Sequence, residues 1–357
     1  MVWPTANCHL LLCGISSAKS FRSWDAEGNY ILDTQANIWQ DFSMNKPKTL
    51  QEAIVYFSDP QRAFDYACEL RWPNGKVTCP RCGGAKHSFI KTRRIWFCYD
   101  CQKQFTLKVG TVFEDSPIAL DKWMTAFWML VNCKNGVSSL EIHRALGVTQ
   151  KTAWFMLQRL RLALHETHSG KLQGHVEADE TYIGGKARFM HKDKRARFFR
   201  NGYDNKTIVA GVLERGGRVR AHVVPSTARP VLHALVRENV EPGTKLSTDD
   251  ATGYWGLYKD YLHQIVDHAE TYVDGQVHTN GIENFWSLVK RGLHGTYISV
   301  EPFHLFRYLD EQIFRYNHRA TKKRFVSDSN RFEMAFPQIA DKRLTYDELI
   351  GRRAEQP

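Results

Sequence analysis

Two Cys-x2-Cys pairs, Cys79/Cys82 and Cys98/Cys101, stand fifteen residues apart and leave little choice about the structure around them. Two thiolates two residues apart can turn onto one ion, and two such knuckles complete the tetrahedral sulfur shell that structural zinc prefers. The interval between the knuckles is one that such sites use. Between them, Ser88-Phe89-Ile90 and Ile95-Trp96-Phe97 read as two short strands. The unit over 73–112 is therefore expected to be a zinc ribbon, with Cys79, Cys82, Cys98 and Cys101 as the Zn2+ ligands. Disulfides are the competing reading. The other cysteines, Cys8, Cys13, Cys68 and Cys133, follow no pairing pattern, as a reducing cytoplasm would leave them. A ribbon grips a partner and performs no reaction, so any chemistry must lie downstream.

The charge balance narrows the partner. Lys plus Arg number 49 against 38 for Asp plus Glu, a formal net charge of +11 over 357 residues. That excess favours a polyanion, nucleic acid ahead of a membrane surface. No apolar run reaches the roughly 18 residues a membrane span needs. The chain is long enough for two or three domains. Residues 1–43 mix turn formers with isolated aromatics, without periodicity, and are expected to be an upstream translation or a disordered leader, with Met44 as the natural start. Over 44–72 the text turns helical, with one amphipathic helix expected from Gln51 to Leu70.

A second gripping element follows the ribbon, over 113–170. Trp123, Phe127 and Leu130 recur at helical spacing and read as core. Ser138 opens a short helix ending at Leu146, Gly147-Val148-Thr149 makes a turn, and Gln150 to Leu164 makes a longer helix. That is the pattern of a DNA-binding helix-turn-helix, whose second helix enters a major groove. Lys151 and Thr152 at its start are the candidates to meet phosphate or base edges. Gln158, Arg159 and Arg161 read as solvated or as backbone contacts.

From Gly174 onward strands take over. His175 to Ile183, Thr207 to Leu213, Val219 to Val224, Thr244 to Thr248 and Gln264 to Val266 are the candidates, and the fourth delivers Asp249 and Asp250 at its end. A long helix then begins near Gly281. Ile282, Phe285, Trp286, Val289 and Leu293 form its apolar stripe, and Asn280, Glu283, Ser287 and Lys290 share a polar flank. Between the first two strands, Lys186, Arg188, Lys192, Lys194, Arg195, Arg197 and Arg200 make a basic run suited to clamping a DNA backbone. The fold class is α+β and multi-domain: zinc ribbon and helix-turn-helix, then an RNase H-like mixed sheet flanked by helices over 171–322, then a polar tail over 323–357.

Asp179-Glu180-Thr181-Tyr182-Ile183-Gly184-Gly185, Thr248-Asp249, and His278 to Ser287 with Lys290-Arg291-Gly292 closely resemble bacterial insertion-sequence transposases of the DDE class. The likeness is to the branch with an N-terminal zinc ribbon, related to Merlin transposons, and it runs from about Met44 to Arg319. The resemblance implies an enzyme that binds the terminal inverted repeats of its element and catalyses metal-dependent strand cleavage and strand transfer. Three acidic groups would hold two Mg2+ ions, with Mn2+ as a substitute. Asp179 and Asp249 would be two of them, Asp250 being the rival for the second place. The third would be Glu283, or Asn280 if an amide takes that position; Glu180 would stand behind the ligands. Lys290 and Arg291 would meet phosphate near the terminal nucleotides. The implied partners are double-stranded DNA, both element ends and target, and a second copy of the chain when two ends are held; the implied place is the cytoplasm, at the bacterial nucleoid. A DNA-binding regulator with a non-catalytic sheet and a metal-dependent nuclease are the alternatives.

Overall fold

The computed structural model describes residues 46–166, 170–185, 191–193, 195–196, 206–266, 278–322 and 324–352. The expected leader lies outside them. Two helices open the described chain, α1 (Leu50–Ser58) and α2 (Pro60–Arg71), where one was expected. Asp59 leaves the helical region at φ −81°, ψ 113°, and its carboxylate accepts the amides of Gln61 and Arg62. Pro60 then sits at the first helical position, where its missing N–H costs nothing but its ring ends whatever helix came before. The ribbon follows as an antiparallel sheet of β1 (His87–Ile90), β2 (Ile95–Cys98) and β3 (Gln104–Phe105). Trp96 stacks between Phe105 and Phe64, and so fastens the ribbon to α2.

Helix α3 (Leu120–Asn132) is buried along Trp123, Phe127 and Leu130. Ser138 and Glu141 form a capping box for α4 (Ser139–Leu146), and Gly147 ends it at φ 61°, a left-handed conformation that glycine adopts without penalty. Thr149 caps α5 (Gln150–Ala163). The helix, turn and helix expected from sequence are therefore present, but α5 departs from the expectation in one respect. Gln158, Arg159 and Arg161 are buried, not solvated. Arg161 pairs with Glu311 at 2.6 Å, Gln158 bonds the Tyr308 hydroxyl at 3.2 Å, and Arg159 donates to the Glu114 carbonyl. The reason is position: α5 packs against α3 on one side and a C-terminal helix on the other, and only its first turn faces outward.

The second half is a five-stranded sheet: β4 (His175–Ile183), β5 (Thr207–Glu214), β6 (Val219–Val224), β7 (Lys245–Asp249) and β8 (Leu262–Val266). Its order is β6-β5-β4-β7-β8; the first three strands pair antiparallel, while β4–β7 and β7–β8 pair parallel. This is the expected RNase H-like mixed sheet. Alternation along β4 divides its side chains between two cores. Val176 and Ala178 face the layer that holds α6 (Arg229–Asn239). The opposite layer holds α7 (Asn280–Gly292) and α8 (Leu305–Asn317), where Ile282, Phe285, Trp286, Val289 and Leu293 pack on β5 and β6 as their spacing predicted.

The expected polar tail is a correction. From Val326 the chain turns back: α9 (Asp328–Ala335), the turn Phe336–Ile339 and α10 (Tyr346–Leu349) join the N-terminal helices. Phe332, Ala335, Phe336 and Ile339 recur at helical spacing and are fully buried in the core that α1, α2, α3 and α5 share. Ile339 accepts the Val112 amide and Asp341 donates to the Gly110 carbonyl, closing the return. Polar neighbours mask the stripe in the sequence. No described helix is long and apolar enough to cross a membrane.

Candidate functional site

The ladder between β4 and β7 runs from His175↔Lys245 to Glu177↔Ser247 and stops there. Two residues further along each strand stand Asp179, midway along β4, and Asp249, the last residue of β7, just past the point where the two parallel strands part. Glu180 joins them: one carboxylate oxygen from each of Asp179, Glu180 and Asp249 lies within 4.8 Å of the others. By alternation Glu180 belongs to the opposite face of β4 from Asp179. Its longer side chain, with Oε2 held at 2.8 Å by the buried Tyr254 hydroxyl, nonetheless reaches the group. The sequence reading placed Glu180 behind the ligands; the structure puts it among the gathered oxygens.

Electrostatics mark the group as a crowd of acids. Burial pushes the Asp179 carboxyl up to about 7, helped by Asp249 and Glu180 and opposed by the Glu180 amide and the Trp286 indole. Burial likewise raises Glu180, with Tyr254 pulling against it and Asp249 adding to it. Among the described residues no Lys or Arg pairs with Asp179 or Glu180. Crowded oxygens that hold a proton to near-neutral pH suit a hard divalent cation, whose charge would release it.

Helix α7 brings the remaining candidates. Trp286 donates its indole N–H to Asp179 at 3.0 Å. Glu283, three residues earlier, is half-buried, and its Oε1 accepts the Thr279 hydroxyl at 2.7 Å. It is not one of the three gathered carboxylates, and Asn280 is exposed at the helix start. Asp250 is exposed and outside the group, which leaves Asp249 as the strand-end acid that meets Asp179. Lys290 and Arg291 are exposed two turns beyond Glu283.

The second cluster is the ribbon's. The sulfurs of Cys79, Cys82, Cys98 and Cys101 gather within 4.8 Å, with Cys79–Cys101 at 3.7 Å and Cys82–Cys98 at 3.6 Å. Sulfurs bound about 2.3 Å from one zinc ion stand roughly 3.8 Å apart, so the spacing is that of a tetrahedral shell. All described cysteines are free thiols, which removes the disulfide reading. Against its burial, the amides of Arg81 and Cys82 pull the Cys79 thiol down to about 7, while burial and the neighbouring sulfurs raise Cys82 and Cys101 despite the amides of Gly84 and Lys103, a crowding that one shared zinc ion would relieve.

Comparison with known proteins matches both halves. Residues 171–317 fit the model of the ISXO2-like transposase domain, and residues 58–104 fit that of the transposase zinc-ribbon domain. A protein in transposable element ISH50 of Halobacterium salinarum is 30% identical over 254 residues, covering 67% of this chain and 85% of that relative. The chain belongs to the zinc-ribbon DDE transposases of insertion sequences. A transposase-like protein of Haemophilus influenzae is similar over a shorter stretch, 29% identical over 106 residues, 29% of this chain and 85% of the relative. The four-cysteine cluster is this transposase's structural zinc site.

The expected DNA contacts of the transposase divide by where they fall. Lys151 is exposed and lies 4.6 Å over the Tyr346 ring, so the returning C-terminal segment braces it. Thr152 is half-buried, with its hydroxyl bonded to that of Thr149. Lys192 and Arg195 are exposed; Lys186, Arg188, Lys194, Arg197 and Arg200 lie outside the described residues. Sequence reasoning missed Glu177, Arg215 and the donor role of Trp286. The signal for Glu177 was available, since an acid two places before Asp179 on an interior strand shares its buried face.

Proposed function

We propose that this transposase binds the terminal inverted repeats of its element, cuts the strand there and joins the freed end to target DNA. The gathering of Asp179 and Glu180 of β4 with Asp249 at the end of β7, next to a helix carrying Glu283, carries this reading. Asp179, Asp249 and Glu180 would hold divalent metal from the strands and Glu283 from the helix. When bound, Mg2+ lowers the pKa of the attacking hydroxyl and stabilises the departing 3′-oxygen. Asp179 then gives up the proton it otherwise keeps to about pH 7. Trp286 orients the Asp179 carboxylate, and Thr279 restrains Glu283. Lys290 and Arg291 offer charge to phosphates along α7. The ribbon and the first turn of α5 grip the repeat, in the cytoplasm and on nucleoid DNA, with a second copy holding the other end.

The chemistry is two displacements at phosphorus. Water attacks first and the element's 3′-oxygen leaves as a hydroxyl; that hydroxyl then attacks a target phosphodiester and expels a second 3′-oxygen. A terminal-repeat duplex incubated with Mg2+ and target plasmid tests this directly. Nicking and joining are expected with the unaltered chain, and Asp179→Asn should lower both by about a thousandfold while leaving repeat binding intact. Binding without cutting would favour a regulator, and cutting without joining a nuclease. Glu283→Gln, Glu180→Gln and Asn280→Ala, compared at rising Mg2+, rank the third ligand.

A further inference from the structure

Glu177 is a fully buried carboxylate on an interior strand, and the chemistry proposed above does not use it. Its Oε2 accepts the backbone N–H of Ile282 in the first turn of α7 at 2.9 Å. Its Oε1 takes the Arg215 Nε–H at 2.7 Å and stands 3.4 Å from His278 Nδ1. Arg215 also donates from Nη2 to the His278 carbonyl at 2.6 Å and from Nη1 to His175 Nδ1 at 3.0 Å. One acid thus ties together β4, the β5–β6 turn and the start of α7.

The start of α7 is built around that acid. Thr279 occupies the N-cap but makes no capping bond, because its hydroxyl is turned to Glu283. An exposed first-turn amide normally needs a side-chain acceptor from its own cap; here the acceptor comes from the neighbouring strand. Gly281 permits the approach: a Cβ there would lie 2.7 Å from Glu177 Oε2. The two contacts between α7 and β4 also keep step. Ile282 and Trp286 are four residues apart on the helix, about 6.0 Å of rise. Their acceptors Glu177 and Asp179 are two apart on the strand, about 6.6 Å. The helix is therefore pinned along the strand at two points of matching pitch, with Glu283 carried between them.

We propose that Glu177 is a positioning residue for the metal centre: it caps α7 from β4, which frees Thr279 to restrain Glu283 and sets Trp286 against Asp179. This rests on the function proposed above. The test uses the full-length, zinc-loaded protein with Glu177→Gln, which keeps the shape but turns a second donor toward either Arg215 or the Ile282 amide. Amide exchange in residues 280–286 is read without divalent metal, and Mn2+ affinity by calorimetry. Exchange is expected to quicken by about tenfold or more in that turn alone, with Mn2+ affinity lowered by about the same factor and repeat binding unchanged. Gly281→Ala, whose methyl would push the Glu177 carboxylate off the Ile282 amide, should reproduce the defect. Exchange and Mn2+ affinity both unchanged in Glu177→Gln would overturn the proposal. So would loosening spread evenly over the sheet, which would make Glu177 a stability residue only. If the unaltered chain bound no Mn2+, the metal reading would fall first, while exchange at Ile282 would still judge the cap.

Discussion

Two buried carboxylate clusters in this protein have opposite electrostatics. Glu311 on α8 is fully buried, and burial alone would raise its pKa; Arg315 and Arg161 outweigh that and hold it below the usual carboxylate range. Tyr297 donates to the same carboxylate, and the Arg161 guanidinium lies 3.9 Å over the Tyr308 ring. Asp179 is also mostly buried, but its neighbours are acids, and its carboxyl rises to about 7. One cluster carries its own counter-charge. The other gathers acids whose charge burial penalises, a set that fits a divalent cation.

The same isosteric change should therefore act with opposite sign at the two places. Glu311→Gln leaves two buried guanidiniums without their shared partner and should cost about 3–5 kcal/mol of stability in denaturant unfolding. Asp179→Asn removes repulsion and should leave the metal-free protein as stable or slightly more so. Destabilisation by both would erase the distinction.

A smaller effect should appear in the pH dependence. Asp179 keeps its proton to about 7 in the folded chain, against 3.8 for an ordinary carboxyl. Between those values the folded form holds a proton that the unfolded form has lost. Stability of the metal-free protein should thus be highest below about pH 4 as far as this group is concerned, and fall as pH rises toward 7. Its full span would be on the order of 4 kcal/mol. A divalent ion must displace that proton, so apparent affinity should gain about tenfold per pH unit up to about 7 and then level. Calorimetric titrations at several pH values check this; a flat affinity would place the proton elsewhere. Smallest of all, Trp286→Phe removes the indole donor and should move that break upward by about one pH unit.

Much of this was legible because it was periodic. The five strands, the apolar stripe of α7 and the cysteine knuckles each repeat a spacing that one element imposes, and Asp249 marks where a strand ends. What escaped reading depends on partners far along the chain. Arg161 reads as a surface cation until Glu311, 150 residues later, arrives beside it. Glu180 belongs by alternation to the wrong face, and only the parting of β4 from β7 with Tyr254 beneath explains its reach. The Asp59-Pro60 break was written in the text but concealed by continuous amphipathicity on either side.

The return of the C-terminal segment has a consequence for synthesis. Phe332 and Phe336 complete the aromatic packing of Phe57, Phe127 and Trp128, residues that leave the ribosome more than two hundred positions earlier. That surface of the first-made helices therefore stays uncovered until Phe332 and Phe336 have been translated. A chain lacking the segment from Phe332 onward would leave the aromatic core of its N-terminal helices open on one side.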